Sequence, residues 1–346
     1  MIRRLTRFLF SAVAILGAVL IVVIYADRAR TPVFEGDDGE VLKGSVASLE
    51  TVNLGGLDQH VLIRGRDMTQ PVLVFLHGGP GMPMMYLAHA FQAELENHFV
   101  VVHWDQRGAG KSYSDGIPVE TMNVEQILSD ALEFIELLKR QFGQNKIYLA
   151  GHSWGSYLGM LLVHRHPELF HAYIGIGQVT DPERSREIQD RFIRERARET
   201  GNTKAIEDLD SKGAAAHEMW LFKFGAELHD ATSWVPFLLV GLRSSEYTFM
   251  DCLKIAPGSS FSSRHMTYNA INGPLIDEVT QVDVPVYFFT GRHDYTTPFE
   301  LIEQYLEKID APTKKMVWFE DSAHFPFFEE PGEFAHEMKT VLLETR

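Results

Sequence analysis

The sequence predicts an α/β fold: a mostly parallel sheet with helices on both faces, interrupted by a helical insertion. Three observations lead there. Short β-rich apolar runs alternate with segments of helical periodicity, the pattern of parallel strands joined by crossover helices. The alternation lapses over residues 178–281 and resumes after them. The third is bulk: 346 residues exceed one ordinary compact domain, and with 45% apolar and 23% charged residues a single large core carrying an insertion is expected.

Taken in order, the chain starts with Arg3, Arg4 and Arg7, then an uncharged run from Phe8 to Ala26. That run is long enough to cross a bilayer core as a helix. Residues 1–30 are therefore read as a membrane anchor contacting lipid through residues 8–26. The basic flank should stay in the cytoplasm and leave the remaining chain outside it. Secretion after signal cleavage is the alternative, though Ile24 and Ala26 make a poor small-x-small site.

Residues 31–177 form the first part of the core. After a polar linker, "SLETVNL" and "QHVLIRG" read as a hairpin around Gly55 and Gly56. Four strand candidates follow: 71–76, 99–104, 146–150 and 172–177. In "VEQILSDALEFIELLKRQFG", Ile127, Leu128, Ala131, Leu132, Ile135 and Leu138 recur at helical spacing and Gly143 closes the helix. Residues 178–281 are helical and aromatic-rich, a cap or lid. Trp220, Phe222, Phe224, Trp234, Phe237 and Phe249 are its expected core, or else an apolar wall of the substrate pocket. Residues 282–346 complete the core with strands at 284–291 and 315–320 and two helices.

The bulk properties also exclude. A net charge of −15 argues against a nucleic-acid binder, which needs clustered Lys and Arg. The single cysteine, Cys252, rules out an internal disulfide and cysteine-based metal sites. His164, His166 and His171 crowd a helix end without metal-ligand spacing. "RGAGKS" has the tail of a phosphate-binding loop, but Asp105 stands where that loop needs glycine. No metal or cofactor is expected, and nothing in the sequence specifies an oligomeric state.

The chemistry concentrates at strand ends. "KIYLA", Gly151-His152-Ser153-Trp154-Gly155 and "SYLGMLLVHRH" read as strand, G-x-S-x-G and helix, the context in which the motif makes a nucleophile elbow. A serine on so sharp a turn has strained backbone angles, and glycine at 151 and 155 avoids collisions with the adjoining strand and helix. Serine needs a base, and the base an acid to fix its tautomer. Asp294 lies just beyond one later strand and His324 just beyond the next, in the chain order Ser, Asp, His. Asp283, Asp321 and His293 are the nearest competitors, each inside or too close to its strand. "HGGPG" at 77–81 follows an apolar strand and suits an oxyanion loop, with backbone N–H groups from Gly79, or alternatively Gly78, and from Trp154. Asp105 and Arg107 are expected to brace the neighbouring loop.

Together, HGGPG, "DQRGAGKS" at 105–112, "GHSWGS" at 151–156, "GRHD" at 291–294 and the His324 loop resemble the proline iminopeptidase branch of the α/β-hydrolases. The resemblance implies an eight-stranded sheet with a helical lid and cofactor-free release of an N-terminal residue, often proline, from a short peptide or small molecule. It also implies a lid glutamate that neutralises the substrate's free amine, for which Glu218, Glu227 and Glu246 are the candidates. The lid here departs from the proline-specific pattern, and His152 stands where many iminopeptidases have glycine. A carboxylesterase or lactonase using the same triad on an uncharged ester is the alternative, and a non-catalytic binding protein a more distant one. Ser153, rather than aspartate, at the elbow argues against epoxide or haloalkane chemistry.

Overall fold

The computed structural model describes residues 28–229, 231, 233, 235–267 and 273–346. The predicted anchor at 8–26 lies outside these residues, as does Trp234. Among the described residues no helix is long and apolar enough to cross a membrane.

Eight strands form one sheet: β1 (Val46–Leu54), β2 (Leu57–Gly65), β3 (Val72–Leu76), β4 (Val100–Asp105), β5 (Ile147–His152), β6 (Phe170–Ile176), β7 (Val286–Gly291) and β8 (Lys314–Phe319). Their spatial order is β1-β2-β4-β3-β5-β6-β7-β8. β1 pairs with β2, and β2 with β4, in antiparallel fashion, and every later pairing is parallel. Leu54 faces Leu57 across Gly55 and Gly56, whose φ values of 55° and 76° suit the tight two-residue turn predicted there.

Every residue of β3, β4 and β5 is buried, because helices cover both faces of the sheet centre. The helix Val124–Phe142 begins where the Asn123 side chain accepts a hydrogen bond from the Gln126 N–H. It ends at Gly143 in the left-handed region with φ 65°. Its predicted apolar stripe packs on the sheet, with Leu132 only partly buried.

The chain leaves β3 toward β4 on one side, then crosses over β3 to reach β5 on the other. Loops after β3 and β5 therefore diverge and open a crevice at the strands' carboxyl ends, where ligands of open α/β sheets bind. Between β6 and β7 lie the helices Pro182–Glu199, Thr203–Lys212, His217–Lys223, Val235–Gly241, Phe249–His265 and Leu275–Glu278. Ile193, Ala197, Leu209, Trp220 and Leu221 form a small apolar cluster of their own there. Phe222 and Phe237 instead join the cluster on one face of the sheet, and Phe249 is 44% exposed, contrary to the expected aromatic core.

Candidate active site

Ser153 sits between β5 and the helix Trp154–Arg165 with φ 52° and ψ −119°, the one non-glycine residue with positive φ among those described. Sterics force the motif's glycines. A Cβ on Gly155 would lie 2.1 Å from the Leu76 carbonyl oxygen, and one on Gly151 would lie 2.4 Å from that of Gly155. The elbow is thus wedged against β3 on one side and its own helix on the other. The strained serine is held by a 2.9 Å hydrogen bond from its N–H to the Ile176 carbonyl.

Asp294 follows β7 and His324 follows β8. His324 Nδ1 lies 2.8 Å from Asp294 Oδ2 with both side chains buried, so the ring's other nitrogen, Nε2, takes no part in that contact. Thr297 fixes the carboxylate, donating its N–H to Oδ1 at 2.9 Å and its hydroxyl to Oδ2 at 2.8 Å. Thr297 was not foreseen, although a threonine three residues after a loop aspartate is the signal of a turn closed by the aspartate side chain. Burial by itself would lower the His324 pKa. The charge and hydrogen bond of Asp294 overcome that, with Glu227 and Glu329 adding to them, and the net shift is upward. Of the competitors, Asp283 and Asp321 are exposed, and His293 stacks on His229 with ring centroids 3.6 Å apart.

His152 also matters more than its variable place in the motif suggests. It is buried, its Nε2 is 2.9 Å from the His324 carbonyl oxygen, and the two ring centroids are 4.7 Å apart. Burial, reinforced by the charge of His324, keeps it far below the usual histidine range and therefore neutral. A Cβ on Gly78 would meet His152 Nδ1 at 3.1 Å and Ser153 Cβ at 3.2 Å, so the glycine loop lies directly against the elbow.

Ser153, His324, Gly78 and Gly79 open on one cavity of about 370 Å³, with an apolar wall that includes Tyr86, Leu221 and Phe237. Ser153, Trp154 and Gly79 also border a second, wider cleft of about 810 Å³. Ser153 and Gly79 border both spaces, His324 lines the first and Trp154 the second, while Asp294 is buried behind His324. Of the three lid carboxylates, Glu218 and Glu227 line the first cavity. Glu246 does not: it is buried elsewhere, accepting from the Ser244 hydroxyl at 3.2 Å, while its own carbonyl accepts from Lys111 Nζ. Glu227 is tied to the His324 loop, since the His324 N–H donates to its carbonyl oxygen at 3.1 Å. Burial pushes the Glu227 carboxyl up to about 7; His324 opposes that shift, and Glu218 and Asp294 add to it.

Asp105 and Arg107 act as braces, as expected. Arg107 makes a buried pair with Asp130 and donates to the Leu54 and Gly55 carbonyls, tying the loop after β4 to the hairpin and to the helix Val124–Phe142. Asp105 accepts from the Tyr247 hydroxyl and from the Lys111 N–H, linking that loop to the helical insertion. Among the described residues no group of three or more His, Cys, Asp or Glu side chains is arranged to hold a metal ion.

The family model for the alpha/beta hydrolase fold matches residues 71–331. A curated relative, "Probable aminopeptidase YbaC" of Bacillus subtilis, is 34% identical over 305 residues, covering 85% of this chain and 96% of the relative. A proline iminopeptidase of Heyndrickxia coagulans is 27% identical over 274 residues, covering 76% of this chain and 87% of that one. Among solved structures, proline iminopeptidase from Mycobacterium smegmatis superposes with a TM-score of 0.65 at 20% identity, over 86% of this chain and 98% of that one.

Proposed function

The chain belongs to the α/β-hydrolase family, and from that premise we propose that it is a serine aminopeptidase of the proline iminopeptidase type. The observation that carries this reading is the buried His324–Asp294 pair, whose histidine lines, with Ser153, a cavity bordered by two carboxylates. Ser153 attacks the carbonyl carbon of the substrate's first residue, and His324 Nε2 takes the hydroxyl proton. The N–H groups of Gly79 and Trp154 receive the oxyanion. His324 then returns the proton to the leaving amine, and water, deprotonated by the same imidazole, resolves the acyl-enzyme. No cofactor takes part in this cycle.

Glu227 is the carboxylate assigned to the substrate's free amine. It lies in the cavity beside the base, and an ammonium group beside it would favour the ionised form that burial disfavours. Ester hydrolysis needs no such partner, which separates the two readings. The expected result is cleavage of a prolyl arylamide, failure with the same compound blocked at its amine, and a Glu227→Gln variant that loses about 10- to 100-fold in kcat/KM, mainly through KM. Turnover of a short p-nitrophenyl ester with neither amide cleaved would instead favour the esterase.

The pH profile follows from the same pair. The base works only when neutral, so activity falls as pH drops through the His324 pKa, which lies above the ordinary histidine value. Glu227 is one of the charges raising it. Glu227→Gln is therefore expected to move the acid limb of kcat/KM toward lower pH, and a limb that moved upward would contradict the assignment.

Anchoring through residues 8–26, with the hydrolase outside the cytoplasm, completes the proposal. It rests on the uncharged run and its basic flank.

A further inference from the structure

Among the described residues, half of the large apolar side chains left exposed fall between Val235 and Leu253. Leu238, Leu239 and Leu242 extend along and just past the helix Val235–Gly241, and Met250 and Leu253 belong to the start of the helix Phe249–His265; each is 46% to 60% exposed. The two helices meet where Cys252 Sγ lies 4.0 Å from the Gly241 carbonyl, so their outer faces adjoin. The opposite side of the first helix is committed inward, with Phe237 in the wall of the catalytic cavity. A patch of this kind on a solvent-facing surface marks an interaction site.

What covers it is indicated by the chain's own path. The Arg30 N–H donates at 2.8 Å to the carbonyl of Ser245, in the loop joining the two helices. The uncharged run ends at Ala26, only four residues earlier. That run is apolar on every side, which suits burial in hydrocarbon rather than one-sided docking in a groove. The charges around the patch agree. Arg28, Arg30 and Arg243 are exposed, whereas Glu246 is buried and Asp251 is paired with Lys111. On a chain of net charge −15, this face presents cations beside exposed leucines.

We propose that the outer face formed by Leu238, Leu239, Leu242, Met250 and Leu253 seats in the bilayer interface beside the anchor, so that one helix separates the lipid from the catalytic cavity. The apolar side chains enter the headgroup and acyl boundary, and the arginines meet anionic headgroups. This rests on the anchoring proposed above.

The test uses the full chain in liposomes of phosphatidylcholine and phosphatidylglycerol, in a Cys252→Ser background, with an environment-sensitive dye on Leu239→Cys, Leu253→Cys or, as control, Lys339→Cys on the C-terminal helix. The protein is expected to float with the liposomes after an alkaline wash. Brominated lipid is expected to quench the dye at 239 and 253 about twofold or more above the control, as a helix face buried in the interface requires. Flotation with 239 and 253 as open to aqueous iodide as 339 would overturn the seating and leave the anchor intact. Shielding from both quenchers would also overturn it, showing that protein covers the face. Failure to float would refute the anchor and the seating with it.

Discussion

Ser153→Ala is expected to lower kcat at least ~10⁴-fold and to abolish covalent labelling by a fluorophosphonate. The size of the loss follows from what one atom does. Without the hydroxyl there is no acyl-enzyme, and what remains is the rate from substrate positioning and the oxyanion donors alone. The variant should fold normally, because no hydrogen bond among the described residues depends on the Ser153 hydroxyl in the way that Val179 N–H depends on the hydroxyl of Ser156. Labelling is the sharper readout, since it needs no knowledge of the natural substrate. Ser259 and Ser263 also line the cavity, so a probe that still reacted with Ser153→Ala would direct attention to one of them and away from the elbow.

Asp294→Asn is expected to cost about 10⁴-fold in kcat while leaving the unfolding transition nearly unchanged. The hydrogen-bond pattern explains why. Asp294 accepts from the Thr297 N–H, the Thr297 hydroxyl and His324 Nδ1. The Thr297 N–H can only donate, so the asparagine must turn its oxygen there and its NH₂ toward the histidine. The ring then has to accept at Nδ1 and carry its proton on Nε2, which is the wrong tautomer for a base aimed at Ser153. The loss of the negative charge also removes the strongest influence raising the His324 pKa, so residual activity should show its acid limb at lower pH. A variant retaining activity within about tenfold of the parent would remove Asp294 from the mechanism.

Much of this was legible in the primary structure. The eight strands follow from the alternation of β-rich and helical runs, and each lies within two residues of its predicted bounds where these were read as single segments. The elbow was legible because its requirement is local: Gly151 and Gly155 have no room for a Cβ, whatever the rest of the molecule does. The Ser, Asp, His order was legible because strand ends in a parallel sheet all point to one edge. Other features were not. His152 takes its place from His324, far along the chain, Thr297 was passed over although its signal lies only three residues from Asp294, and Phe249, expected inside, emerged on the surface.

The sequence alone thus determined the sheet, the strained serine and the strand-end positions of Asp294 and His324, since backbone period and turn sterics act over a few residues. Only the tertiary structure decided that Glu218 and Glu227 enter the cavity while Glu246 does not, and that one face of the insertion is left apolar beside the chain's N-terminal path. The helices of the insertion can pack at several angles, and their final placement depends on long-range contacts such as Tyr247 to Asp105 and Lys111 to Asp251, which no local pattern encodes.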